Sequence, residues 1–231
     1  MNRIKNQSGN VAYYLAGVIV LAAVVLLGLK VVGGNKKTVD VSNAGSPGTS
    51  TMKASDLRAD FVTLGVEHMM LTQSAVQQTL DGSKGAGATA AALYTNGTDI
   101  GAAVGSVYGP EAAKTFNSVW KLHLDQFVAY AGAASKGDTA GKKAALDSID
   151  ANYTKPLSAY LAKANPNLPE ATLNTVLSDH VAMTAKVIDL HVAGDYAGEQ
   201  AELKQANKMI EGIFSTLAGG IVKQYPAKFQ D

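Results

Sequence analysis

The chain of 231 residues contains four histidines, and three of them share one setting. "FVTLGVEH" ends at His68, "FNSVWKLH" at His123 and "LNTVLSDH" at His180, each with an apolar residue seven places earlier. A glycine follows each histidine by fourteen places, as Gly82, Gly137 and Gly194, and the histidines are 55 and 57 residues apart. Neutral imidazole ligates copper, zinc, iron or nickel. Three imidazoles at one register of a repeat therefore point to a shared ion. The competing reading is a repeated core position, although burying three imidazoles costs more than burying three leucines. Accessory donors lie nearby in sequence: Glu67 and Asp179 each precede a histidine, Asp125 follows His123 by two, and Met183 follows His180 by three. Successive helical side chains point about 100° apart, which turns the carboxylates toward solvent. Histidine with methionine, in a chain without cysteine, favours copper, with zinc as the alternative. His191, eleven residues past His180, is about 16 Å further along a helix and belongs to the Gly194 turn rather than to this site.

The elements that must hold these side chains are helices. Leu57, Phe61, Leu64, His68, Leu71 and Ala75 step by three and four, as do Phe116, Val119, His123, Phe127 and Tyr130, and Val176, His180, Met183, Val187 and Leu190. Each histidine thus sits on an inward seam. The glycines are helix stops that adopt the left-handed conformation at no steric cost. The pattern predicts three repeated helical hairpins. "TDIGAAVGSVYG" predicts a short return helix from Thr98, capped by Thr98 or Asp99, after a loop "DGSKGAGATAA". "AGKKAALDSIDANYTKPLSAYLAKA" predicts a second, kinked or split near Lys155 by Pro156, and "GEQAELKQANKMIEGIFSTLAGGIVKQYP" the third. "ANPNLP", 164–169, is the clearest break. No stretch alternates with period two for long enough to make a sheet. The expected fold is all-α, an up-down bundle of about six helices over residues 56–231. If the bundle closes, the three histidines meet; if the hairpins stack as an open row, they do not.

Residues 11–32 contain nineteen consecutive uncharged residues, Val11 to Leu29, enough to span a bilayer. The basic start, 1–10, predicts a cytoplasmic N-terminus, with the domain outside. Residues 33–55, rich in Gly, Ser, Thr, Asn and Pro, read as a flexible tether. The expected location is the cell membrane, single-pass; secretion after signal cleavage is the alternative, disfavoured by the length of the apolar run. The opening also resembles a type IV prepilin leader with Gly9 at the processing point, but Tyr14 stands where a glutamate is usual.

Formal charge is +1 with 17% charged residues, which argues against a nucleic-acid partner. The absence of cysteine removes disulfides, thiolate metal sites and a catalytic thiol. No Walker motif, H-E-x-x-H or nucleophile with a base in reach is present, so the expectation is a non-catalytic domain.

"GSVYG" at 105–109, "VWKLH" at 119–123, "ANPNLP", "DHV" at 179–181 and "QYPAKF" at 224–229 occur in an order that resembles an uncharacterised all-helical domain of exported bacterial proteins, some labelled copper amine oxidase-like. The resemblance covers about residues 55–229 and implies an extracytoplasmic helical domain. The label's chemistry does not carry over: Asn152 and Tyr153 are followed by Thr154 instead of an acid, no H-x-H exists, and Lys208 stands where the family has a histidine. The sequence therefore predicts a membrane-tethered domain binding a ligand, a copper or zinc ion through His68, His123 and His180. The alternative is a cell-surface structural or interaction module with core histidines.

Overall fold

The computed structural model describes residues 53–229. Segment 1–10, the apolar run 11–32 and all but the last three residues of the tether 33–55 lie outside the described residues. The fold is all-α: α1 (Ala54–Leu80), α2 (Ala86–Tyr108), α3 (Pro110–Ala134), α4 (Thr139–Ile149), α5 (Lys155–Ala164), α6 (Glu170–Ala193) and α7 (Tyr196–Gln224). A π-helical turn, Asp150–Thr154, joins α4 to α5, so the described residues form six antiparallel rods. None of these helices is long and apolar enough to cross a membrane.

Each rod packs on the next, and α7 returns to pack on α1, which closes the ring. The histidine-bearing α1, α3 and α6 also touch one another across the middle, while α2, the α4–α5 rod and α7 fill the gaps between them. Their seams supply the core: Leu57 and Phe61 from α1, Phe116 and Trp120 from α3, Leu173 and Leu177 from α6. Phe214 of α7 packs on Phe61 and on Trp120 and holds the ring shut.

The stops are set by backbone conformation. Gly82, Gly137 and Gly194 have φ of +69°, +66° and +73°, a region other residues enter at a cost. After them the chain turns back with the same bonds: Ser83 N–H donates to Gln78 O, Asp138 N–H to Ala133 O and Asp195 N–H to Leu190 O. Asp138 and Asp195 then cap α4 and α7 by accepting from Gly141 N–H and Gly198 N–H, both at 2.9 Å.

One expectation changes. The first return helix starts at Ala86, twelve residues before Thr98, because the glycines of "DGSKGAGATAA" are confined to the turn and the first helical positions. The alanines beyond are strong helix formers, and Ala90 and Leu93 pack inward. Thr98 caps nothing; its hydroxyl donates to Tyr94 O one turn back. At Pro156 the expected interruption takes the form of a π-helical turn: α4 ends at Ile149 and α5 begins at Lys155. The π-turn just before it widens the backbone, which accommodates the proline's missing N–H and its bulk.

At the end of the bundle where α1 begins, Tyr108 donates to Gln224 Oε1 (2.8 Å), Asn165 donates to the Tyr108 hydroxyl (3.0 Å), and Gln224 donates to Ala164 O (2.9 Å). "GSVYG", "ANPNLP" and "QYPAKF" are thus one hydrogen-bonded junction that ties α2, the loop after α5 and the end of α7.

Packing along α1 and α7 gives a signed test. A Cβ on Gly65 would stand 2.5 Å from the Phe214 ring, so Gly65→Ala is expected to destabilise the protein by about 1–3 kcal/mol. Gly212 is exposed on α7, and nothing lies within 4 Å of the position its methyl would take, so Gly212→Ala should gain about 0.5–1 kcal/mol. Thermal unfolding of the full chain in mild detergent measures both, and equal effects would contradict the α1–α7 contact.

Candidate metal centre

Closure of the ring brings the three seams to one point. The ring centres of His68 and His123 are 5.6 Å apart, and those of His68 and His180 are 6.2 Å apart. All three side chains are at most 2% exposed. They share the lining of a cavity of about 40 Å³ with Thr72, Thr184 and Tyr94, and no charged residue lines it.

Local bonds fix the helices around this cavity but leave the rings free. Thr72 donates to His68 O (2.8 Å) and Thr184 to His180 O (2.9 Å), the same one-turn bond on α1 and α6. Asn96 of α2 donates to Leu64 O and to Glu67 Oε2, which clamps α2 onto the turn carrying His68. His123 lies face to face with Tyr153 at 4.2 Å and meets Trp120 edge-on at 4.7 Å; His68 meets the same indole edge-on at 4.9 Å. Four ring nitrogens have no protein partner: Nδ1 of His68, Nδ1 of His180 and both nitrogens of His123.

Burial holds all three imidazoles neutral. It takes His68 down to about 3, helped by nearby His180 and opposed by Asn96. Burial alone takes His180 down to about 4. His123 is lowered well below the ordinary histidine value by burial, then by His68 and His180, against a smaller opposing effect of the Trp120 backbone. Neutral rings with unshared lone pairs are the form that ligates a metal.

The accessory residues lie elsewhere. Glu67 and Asp179 are exposed on their helices, and Glu67 accepts from Asn96. Asp125 accepts from the Tyr94 hydroxyl at 2.6 Å and pairs with Lys121. Met183 is partly buried against the apolar core, away from the cavity lining. The structure thus brings together His68, His123 and His180 and leaves Glu67, Asp125, Asp179 and Met183 outside. Among the described residues, no trio of His, Asp or Glu stands ready-made at ligand distance from one point. The rings must therefore reorient before they share an ion with bonds near 2.0 Å.

His191 is more than a boundary residue. It is buried at the opposite end of the bundle from the Tyr108 junction, where Nδ1 lies 3.1 Å from Glu199 Oε2 and Nε2 lies 3.1 Å from Asp81 Oδ1. Glu199 is fully buried and accepts from Gln77 Nε2 at 2.8 Å. These four residues join the ends of α1 and α6 to the start of α7. Glu199 carries no sequence signal beyond its place in the first turn of a helix, where a carboxylate suits the dipole.

No family model, no curated protein and no solved structure matches the chain.

The neutral trio makes stability depend on pH. In the unfolded chain these histidines take up protons below about 6.5, whereas in the fold they resist until far lower pH. The stabilisation is therefore fully present above that value and is lost as pH falls from 6.5 toward about 4 for His180 and about 3 for His68. Each histidine contributes a slope of up to about 1.4 kcal/mol per pH unit in this window. Urea unfolding at pH 7.5, 6.5 and about 5.5 should show stability falling only below about 6.5, and His180→Leu should shallow the fall. At the other end, His191→Leu strips the buried Glu199 carboxylate of its imidazole and should cost about 3 kcal/mol or more in the same assay at pH about 7.

Proposed function

We propose that this protein is a membrane-tethered, extracytoplasmic metal-binding domain, in which His68, His123 and His180 hold one copper or zinc ion and no reaction is catalysed. One observation carries the reading: three buried neutral imidazoles with four unpartnered nitrogens surround one small cavity. A buried polar group left without a partner costs about 1–3 kcal/mol, and an ion supplies the missing interactions for all three rings at once. Repetition of the setting on α1, α3 and α6 puts the rings at one depth, each fourteen residues before a glycine stop.

The tether and the apolar run 11–32 supply the location, with the bundle outside the cytoplasm, and the resemblance to exported helical domains agrees with it. Lys53 leads into α1 at the Tyr108 end of the bundle, which is where the tether joins the domain. The absence of charge in the cavity supports a holding role over catalysis, since no acid or base lines it beside the imidazoles.

The second reading, a structural module with core histidines, draws on the stacking of His123 on Tyr153 and its edge contact with Trp120. Metal titration separates the two. The full chain in mild detergent, stripped with chelator and titrated with Zn(II) and with copper, is expected to take up one equivalent and to unfold at a higher temperature. His123→Ala and His180→Ala should each lower the affinity at least 100-fold. Uptake of no metal, or uptake unchanged in both variants, leaves the structural module.

A further inference from the structure

We propose that the three-histidine centre selects a monovalent soft ion, Cu(I), over Zn(II) and Cu(II). This rests on the metal-binding reading above and adds the charge and coordination number of the ion.

Charge comes first. Moving an ion out of water costs energy in proportion to the square of its charge, so a divalent ion costs about four times as much as a monovalent one. Proteins offset that cost with carboxylates or thiolates, or with water left on the metal. This cavity offers neither anionic group: its lining holds no Asp or Glu, and the chain has no cysteine. Of the carboxylates nearest in sequence, Glu67 accepts from Asn96, Asp125 accepts from Tyr94 and pairs with Lys121, and Asp179 is exposed on α6. A bound divalent ion would keep its full charge in a buried apolar space, whereas a monovalent ion brings the smallest charge a metal can.

Coordination number is the second observation. Zinc takes four ligands in a tetrahedron. Beside the histidines the cavity is lined by neutral hydroxyls, weak ligands for a divalent ion: Thr72 and Thr184 donate to His68 O and His180 O, Tyr94 donates to Asp125, and Thr79 lies eleven residues, about 16 Å, along α1 from His68. The nitrogen donors the lining offers are three neutral imidazoles, which match the two or three ligands a d¹⁰ monovalent ion takes and fall short of the four of a tetrahedral zinc site.

The surroundings of the rings are the third. Zinc-bound histidines usually donate their other ring N–H to a carboxylate or carbonyl, which raises their basicity toward a hard divalent ion. His123 has neither nitrogen bonded and is instead packed between the faces and edges of Tyr153 and Trp120. A ligand whose basicity no outer partner raises suits an ion of low charge better than a divalent one.

The test uses the full chain in mild detergent under anaerobic reducing conditions, with Cu(I) supplied as its bicinchoninate complex. The protein is expected to withdraw one equivalent of Cu(I), and Zn(II) and Cu(II), titrated separately, to bind at least 100-fold more weakly. His123→Ala and His180→Leu should each reduce Cu(I) affinity at least 100-fold, with circular dichroism confirming that at least one of them is folded. X-ray absorption at the copper edge should show two or three nitrogen neighbours and no fourth ligand. If Zn(II) or Cu(II) binds the same histidines as tightly as Cu(I), the selection is overturned while the metal reading stands. If no ion binds at the histidines, both fall.

Discussion

The packing of α7 on α1 is the contact on which the rest of the structure depends. Without it, three helical hairpins would lie side by side, and the apolar seams of α1, α3 and α6 would face one flank of a row. With it, the rods form a ring and those seams converge. Gly65 makes the approach close by admitting the Phe214 ring where any larger residue would hold α7 away. Phe214 in turn touches Phe61 and Trp120, so the closing helix reaches the indole that supports His68 and His123. Closure and the meeting of the histidines are one structural event.

A closed ring of helices has a middle and two ends, and the polar residues divide between them in different ways. At each end, buried polar side chains form a hydrogen-bonded cluster. Tyr108, Asn165 and Gln224 bond to one another and to Ala164 O, while His191, Glu199, Asp81 and Gln77 bind the opposite end. In the middle, three imidazoles are surrounded by aromatic rings and threonines whose hydroxyls point back to the helix backbone. The chain therefore has the means to satisfy a buried histidine, as His191 shows, and does not use them at His68, His123 or His180. Two kinds of buried histidine in one domain imply two demands on the side chain, one for joining helices and one for keeping nitrogens unshared.

Periodicity carried most of the architecture. The 3-and-4 spacing of Leu57 to Ala75, of Phe116 to Tyr130 and of Val176 to Leu190 reports which face is inward, and the αL glycines report where each helix stops. The start of α2 was not legible, because glycine lowers helix propensity whether it lies in a turn or in a first helical turn, and only packing of Ala90 and Leu93 decides. The histidine trio was legible as a register, since equal distances to three glycine stops place the rings at one depth. Whether they meet was not, because that depends on closure, and the contact of Gly65 with Phe214 joins positions 149 residues apart with no pattern between them. The pairing of His191 with Glu199 was hidden for a similar reason: its second partner, Asp81, comes from a different hairpin.

The energetic cost of the centre bears on what it is for. Each buried polar atom without a partner costs about 1–3 kcal/mol. Leucine at the same three seam positions would keep the periodicity, fill the cavity and remove that cost. Aromatic contacts with Trp120 and Tyr153 return part of it, at about 0.5–1.5 kcal/mol for each well-placed ring pair, but they act on ring faces and edges and leave the nitrogens as they are. Packing therefore accounts for the position of the rings and not for the choice of imidazole. On the proposed reading a bound ion would account for both, because it would supply the unmet interactions of all three rings together, and it could do so only where the ring of helices has already brought them near one another.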